Sequence, residues 1–436
     1  MQKLYNKHLS ILQGKTEDIL DELNLPGLVI DSGNAHAYFE DDQFAPFRPN
    51  HHFAHWCPLD SEHNVIVIRP GQKPALLAYI PEDFWHEHKP VSGFFWSDQF
   101  EISEFGDVQE IWQTLSESYS GFAYHGPQAE KAANADLQVN VEGLLPRLDW
   151  NRSFKTDYEV FCLEEATKLA VKGHLAAKSA FDIGESELGI HHAYQVSSRT
   201  RDHDLPYEAI VCLNEKSAFL HYHDKRDDIR DGDVLLIDAG CQFNGYASDI
   251  TRTHVSENAH PVFKELLKDM EAMQVSLTKM PKVGMTMADL HWESHIGLAK
   301  ILIDHEILLD IEAEEAVTQG LTGDFYPHGI GHMLGLLVHD VAGRQVNPEG
   351  EEGEPDPRFP KLRSLRRFEV GHYFTIEPGL YFIDMLLKKR KGTDFEEHFN
   401  WDLIEELKPF GGIRIEDNIL ITKKGPRNIT REFLAI

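Results

Sequence analysis

A chain of 436 residues, 42% apolar and 26% charged, exceeds one usual domain of about 100–200 residues and lies close to soluble globular averages, which excludes disordered and fibrous classes. Its 72 acidic residues against 42 basic ones leave a formal charge of -30, which repels phosphate backbones and anionic headgroups, so neither nucleic acid nor a membrane surface is expected as partner. Four cysteines without paired spacing, no apolar leader at the start and no run of about 18 apolar residues point to a reducing, cytoplasmic setting.

Residues 1–155 read as a small mixed α/β domain: a helix-like opening, then β-type runs at Leu28-Val29-Ile30, at 65–68 and at 76–80. Nothing in it looks catalytic. At Thr156, followed by Glu159, a capping box opens a long helix that places Val160, Leu163, Thr167, Ala170, Ala177 and Phe181 near one face and ends before Gly184. The domain boundary is set there, giving domains 1–155 and 156–436. Further helices are expected at 185–199, 262–277, 287–303 and 311–318. Strands are expected at 208–213, 233–238, 246–255, 372–377 and 413–422, and an exposed loop at 347–360. Strands joined by hairpins rather than by regular βαβ crossovers make the second domain α+β.

The segment from Val234 to Arg252 turns at Asn244-Gly245, the strongest short hairpin signal, calling for a two-residue type I′ turn. Opposed residues then sum to 489, so Asp238 faces Thr251 and Asp249 faces Gly240. The two aspartates become diagonal neighbours on one face, roughly 5–8 Å apart at Cβ. They require a shared proton or a cation between them, unless one is simply a solvated turn residue.

Three histidines, His328, His332 and His339, lie in a glycine-punctuated apolar frame, either as buried structural rings or as metal ligands and proton carriers. Glu377 ends an apolar strand before Pro378, and Arg414, Glu416 and Asn418 alternate with isoleucines. Four carboxylates and one imidazole are what two adjacent divalent cations need in order to activate water.

The four motifs IDAG with a second Asp eleven residues on, PHGIGH with its distal VHD, TIEPGLY and GGIRIEDN, in this order, resemble the pita-bread metallopeptidases. Within that family the chain is similar to the prolidases, or Xaa-Pro dipeptidases, and DDxxxPF at Asp41 to Phe47 resembles their bacterial branch, also known as organophosphorus acid anhydrolases. The resemblance implies a creatinase-like α/β N-terminal domain and a pita-bread catalytic domain. It implies two divalent ions, expected to be Mn²⁺ with Co²⁺ or Zn²⁺ as substitutes, on Asp238, Asp249, His332, Glu377 and Glu416. His332 rather than His328 is implied as the nitrogen ligand, because His339 follows it by seven residues.

Glu377 is also implied as proton shuttle, and His221 and His339 as donors to the developing oxyanion. Arg414 sits on Glu416's face as a clamp for the free carboxylate of a dipeptide, with Arg363, His328 and Tyr207 as further substrate contacts. Asp42 is implied to reach a neighbouring subunit's pocket in a homodimer. At Met287 the chain departs from a tyrosine that members can carry, which bears on leaving groups and on any phosphotriester side activity. Hydrolysis of Xaa-Pro dipeptides is the implied function. Its rivals are an aminopeptidase acting on longer Xaa-Pro peptides with the same metals and a non-catalytic module that reuses the fold.

Overall fold

The opening residues form the helix Gln2–Glu22, whose Tyr5, Leu9, Leu12, Ile19 and Leu20 recur at helical spacing and are buried. In the computed structural model, which describes all residues except 86, 88, 89, 202, 435 and 436, the chain divides into two units. One is Met1–Arg152 with Thr156–Phe161 and Asn347–Glu351; the other is Ser153–Lys155, Cys162–Val346 and Glu352–Ile436. The first unit holds a six-stranded sheet in the order Glu101–Phe105, Ala75–Tyr79, Val65–Ile68, Leu28–Asp31, Ala123–His125, Gln138–Val139. It is mixed: Leu28–Asp31 pairs antiparallel with Val65–Ile68 and parallel with Ala123–His125.

In the second unit every described strand pair is antiparallel, with tight turns between Phe243 and Tyr246 and between Thr422 and Gly425 and the other pairs joined through longer stretches of chain. Thr251–Val255, Val234–Asp238 and Ile210–Leu213 form one sheet, Tyr373–Ile376, Asp417–Thr422 and Gly425–Asn428 a second, and Gly379–Tyr381 pairs with Gly412–Arg414. The helices Pro261–Leu277 and Met287–Asp304 bury Phe263, Leu266, Met270, Leu290, Leu298 and Leu302 in the core that also takes Phe374, Ile376, Ile413 and Ile419. Met287 is fully buried in this core. The capping box forms: the Thr156 N–H donates to Glu159 Oε2 at 2.8 Å and opens the helix Asp157–Asp182.

The hairpin has the predicted register. Thr251 pairs with Asp238 and Tyr246 with Phe243, and Asn244 and Gly245 take φ of 48° and 83°, as a type I′ turn demands. Two predicted strands are each broken in the middle. Tyr246–Ala247 and Thr251–Val255 are separated at Asp249, and Gly412–Arg414 and Asp417–Thr422 at Glu416. The backbone there leaves its ladder for other partners: the Asp249 N–H meets Asn418 Oδ1 at 3.3 Å, and the Glu416 N–H donates to the Thr251 carbonyl at 3.0 Å. Both interruptions fall on candidate ligands.

Candidate metal centre

The hairpin brings Asp238 and Asp249 to one point, where the Tyr207 hydroxyl lies 2.8 Å from Asp238 Oδ1 and 2.6 Å from Asp249 Oδ1. The isolated bridge between Thr251 and Glu416 then carries the second sheet's glutamate to the first sheet, and the Thr251 hydroxyl donates to Glu416 Oε2 at 2.6 Å. A bridge between Met333 and Phe374 brings in the histidine segment. Gly331 permits this approach, since a Cβ there would lie 2.0 Å from the Thr375 carbonyl oxygen.

His332 donates from Nδ1 to the Met333 carbonyl at 3.1 Å, which leaves the Nε2 lone pair for a ligand. Nε2 lies 3.4 Å from Asp249, 3.6 Å from Glu377 and 4.0 Å from Glu416. Atoms sharing one cation through bonds of about 2.0–2.2 Å sit at separations of this order. The five sequence-nominated ligands therefore converge.

Electrostatics shows what the cluster lacks. Burial and the neighbouring Asp238 push the Asp249 carboxyl up to about 8. Burial, followed by Asp249 and Asp238, raises Glu416 well above the carboxylate range, and burial with Glu416 does the same to Glu377. Anions crowded in this way resist ionisation until positive charge arrives, and divalent cations supply it. Oxygen-rich ligation with one imidazole fits a pair of hard or borderline divalent ions.

A second buried group, His8, His55 and Glu159, also brings potential ligand atoms within 4.8 Å of one another. Here protein groups satisfy His8: Nε2 donates to the His55 carbonyl at 2.8 Å and Nδ1 meets Thr156 Oγ1 at 2.8 Å. The trio extends the capping box that opens the helix Asp157–Asp182.

Around the metal centre the nominated substrate residues separate into two groups. Arg414 is buried and engaged: Nη2 donates to Asp238 Oδ2 at 2.8 Å, Nη1 to the Tyr381 hydroxyl at 2.9 Å and Nε to Thr251 Oγ1 at 3.3 Å. Tyr381 in turn donates to His328 Nε2 at 2.9 Å, and His328 Nδ1 donates to the Gly329 carbonyl. Arg414, Tyr207 and His328 thus form a polar frame behind the carboxylates. Replacing Tyr381 by phenylalanine should cut kcat about 10–100-fold with the metal-free melting temperature little changed, the usual effect of losing an outer partner of a metal site; steady-state kinetics and calorimetry check this.

His339, His221 and Arg363 form the other group and are exposed. The His339 ring packs T-shaped against His332 at 4.4 Å between centroids, and the charges of Arg363 and His221 reach it. The Arg363 guanidinium makes no hydrogen bond or ion pair among the described residues. Asp42 lies in an exposed segment of the first unit, its N–H bonded to Asp41 Oδ1.

Tyr381 and Thr251 were not nominated from the sequence. Strand alternation puts Thr251 on Asp249's face, and Tyr381 ends the motif TIEPGLY, but only paired strands show what their hydroxyls touch.

Residues 162–423 match the model of metallopeptidase family M24, and residues 3–150 match that of the Xaa-Pro dipeptidase N-terminal domain. The chain belongs to metallopeptidase family M24. The Xaa-Pro dipeptidases of Escherichia coli O81 (strain ED1a) and of Escherichia coli O1:K1 / APEC are each 40% identical to it over 440 residues, spanning 99% of this chain and 98% of theirs. Among solved structures, aminopeptidase P from E. coli with the inhibitor Pro-Leu has a TM-score of 0.76 at 22% identity, covering 100% of this chain and 96% of the other. Proline aminopeptidase P II from Yersinia pestis gives 0.76 at 21%, covering 100% and 97%. The pita-bread architecture expected from the motifs is borne out. No helix among the described residues of this M24 enzyme is long and apolar enough to cross a membrane.

Proposed function

We propose that this M24 enzyme hydrolyses Xaa-Pro dipeptides at the imide bond. The observation that carries the reading is the convergence of Asp238, Asp249, His332, Glu377 and Glu416, in a chain 40% identical along nearly its whole length to proteins named Xaa-Pro dipeptidase. Two divalent cations held by these residues would supply Lewis-acid polarisation and a water acidic enough to act at neutral pH. We assign Mn²⁺ to them on the oxygen-rich donor set.

Glu377 aims one oxygen at His332 and holds the other 3.6 Å from His328 Nδ1. It is the group that carries a proton to the departing prolyl nitrogen, which has no hydrogen of its own in the substrate. To His339, whose ring packs on that of His332, and to His221 we assign donation to the oxyanion that forms at the scissile carbonyl. With Arg414 occupied by Asp238 and Tyr381, the substrate carboxylate falls to Arg363, whose guanidinium is exposed beside His339. Arg414 and Tyr207 act instead by holding the two aspartates. Homodimerisation is part of the proposal, supported by Tyr38, Phe39 and Phe44, all exposed in the segment that bears Asp42.

The test is hydrolysis of Ala-Pro and of Ala-Pro-Gly-Gly by chelated protein before and after readdition of Mn²⁺, Co²⁺ or Zn²⁺. Ala-Pro cleavage should vanish on chelation and return with metal, while the tetrapeptide stays intact. Faster cleavage of the tetrapeptide would make the enzyme an aminopeptidase and remove Arg363 from its assigned role.

A further inference from the structure

The last described helix, Ile429–Phe433, lies beyond the region matched by the M24 family model, and it touches the backbone beside three of the five candidate ligands. The Thr430 hydroxyl accepts the Asn418 N–H at 2.9 Å and the Asn418 side-chain amide at 3.1 Å. Asn418 Oδ1 in turn receives the Asp249 N–H. Asn428, which caps the helix, and Arg431 donate to Asp417 Oδ2 at 2.7 and 2.6 Å. The other oxygen of Asp417 takes Arg252 Nη2 at 2.6 Å, and Arg252 Nη1 donates to the carbonyls of both Thr251 and Glu416 at 2.8 Å. Arg431 Nη2 also donates to Gln274 Oε1 at 2.8 Å, and Gln274 Nε2 reaches the carbonyl of Ile376, the residue before Glu377.

Asp417, Asn418, Thr430 and Gln274 are fully buried. The buried Asp417 carboxyl lies between two guanidiniums, with one oxygen on Arg252 and the other on Arg431. Three paths of two or three side chains each therefore run from this one turn to the strands carrying Asp249, Glu416 and Glu377. Those strands are interrupted at Asp249 and Glu416, so the side chains of the turn add to the backbone bridge between Glu416 and Thr251 in holding them there.

We propose that the C-terminal turn, through Asn428, Thr430 and Arg431, is a positioning element of the metal centre: it sets the spacing of Asp249, Glu416 and Glu377, and its disruption weakens metal binding before it unfolds the chain. This rests on the dinuclear reading above. The partners of metal ligands commonly carry 10–100-fold in affinity.

The experiment titrates chelated full-length protein with Mn²⁺ alone by isothermal calorimetry and measures the melting temperature of the metal-free form. Arg431→Gln, and Gln274→Met as a milder variant that changes no charge, are compared with wild type and with Asp249→Asn. The expected result is about a 10-fold or greater loss of Mn²⁺ affinity in Arg431→Gln and a smaller loss in Gln274→Met. Both should recover activity at saturating Mn²⁺, with the metal-free melting temperature moving little. Wild-type Mn²⁺ affinity in a folded Arg431→Gln, or in Gln274→Met should the first not fold, overturns the proposal. Unchanged Mn²⁺ binding in Asp249→Asn overturns the dinuclear reading and the proposal with it.

Discussion

Asp249→Asn is expected to lower kcat/KM for Ala-Pro on the order of a thousandfold or more and to reduce the metal content per chain. The substitution keeps shape and removes one anionic ligand, and the charge stabilisation that a Lewis acid supplies is worth several kcal/mol, each 1.4 of which is about tenfold in rate. In chelated protein the same change should act oppositely on stability. Asp249 is held up to about 8 in the folded metal-free chain against an ordinary carboxylate value near 3.8. The folded state therefore binds more protons than the unfolded one between those limits, and stability falls as pH rises through them. The amide titrates nowhere in that range. Melting temperatures of the two chelated proteins should draw apart in the variant's favour from pH 5 to pH 8; equal curves would mean that Asp249 is not crowded by its neighbours.

Lys155→Met is expected to lower the melting temperature by roughly 6–20 °C, the largest stability change predicted for a single site. Lys155 Nζ meets Asp340 Oδ2 at 2.8 Å with both side chains 1% exposed. Removing one partner of such a pair strands the other charge at a cost of about 3–5 kcal/mol, and each kcal/mol shifts a domain of this size by about 2–4 °C. Asp340 follows His339 directly, so activity should fall as the loop bearing that histidine loosens. Combining Lys155→Met with Asp340→Leu should regain most of the lost stability, since an apolar pair of similar volume replaces the ion pair without a desolvation penalty. A double variant no more stable than the single one would show that the loss does not come from the Asp340 carboxylate left without its partner. Scanning calorimetry on the three proteins decides this.

Much of the centre is legible in the sequence alone. The Asn-Gly turn determines its own register through the φ > 0 that both residues accept, and from the register follow the pairing of Asp238 with Thr251 and the nearness of Asp249. The capping box at Thr156 and Glu159 is equally readable, because its two bonds are local. Arg414 is not. Its alternation with Ile413 and Ile415 places it correctly on Glu416's face, which leaves a substrate carboxylate and a protein carboxylate as equally good partners on charge alone. The fold gives the guanidinium Asp238, Tyr381 and Thr251, from three other strands. Tyr207, expected to contact substrate, has its hydroxyl within hydrogen-bond distance of both aspartates, which no local rule indicates.

Local rules thus singled out four candidate carboxylates and showed how the first two meet, since turn geometry and side-chain alternation act within a few residues of chain, while the family resemblance chose His332 among three histidines. What only the tertiary structure decided is which polar groups hold those ligands in place: the Arg414–Tyr381–His328 chain, the bond from Asn418 to Asp249, and the C-terminal turn behind Glu416 and Glu377. These contacts span more than a hundred residues of sequence in several cases, and a buried polar group takes whichever partner the packing of separate sheets delivers.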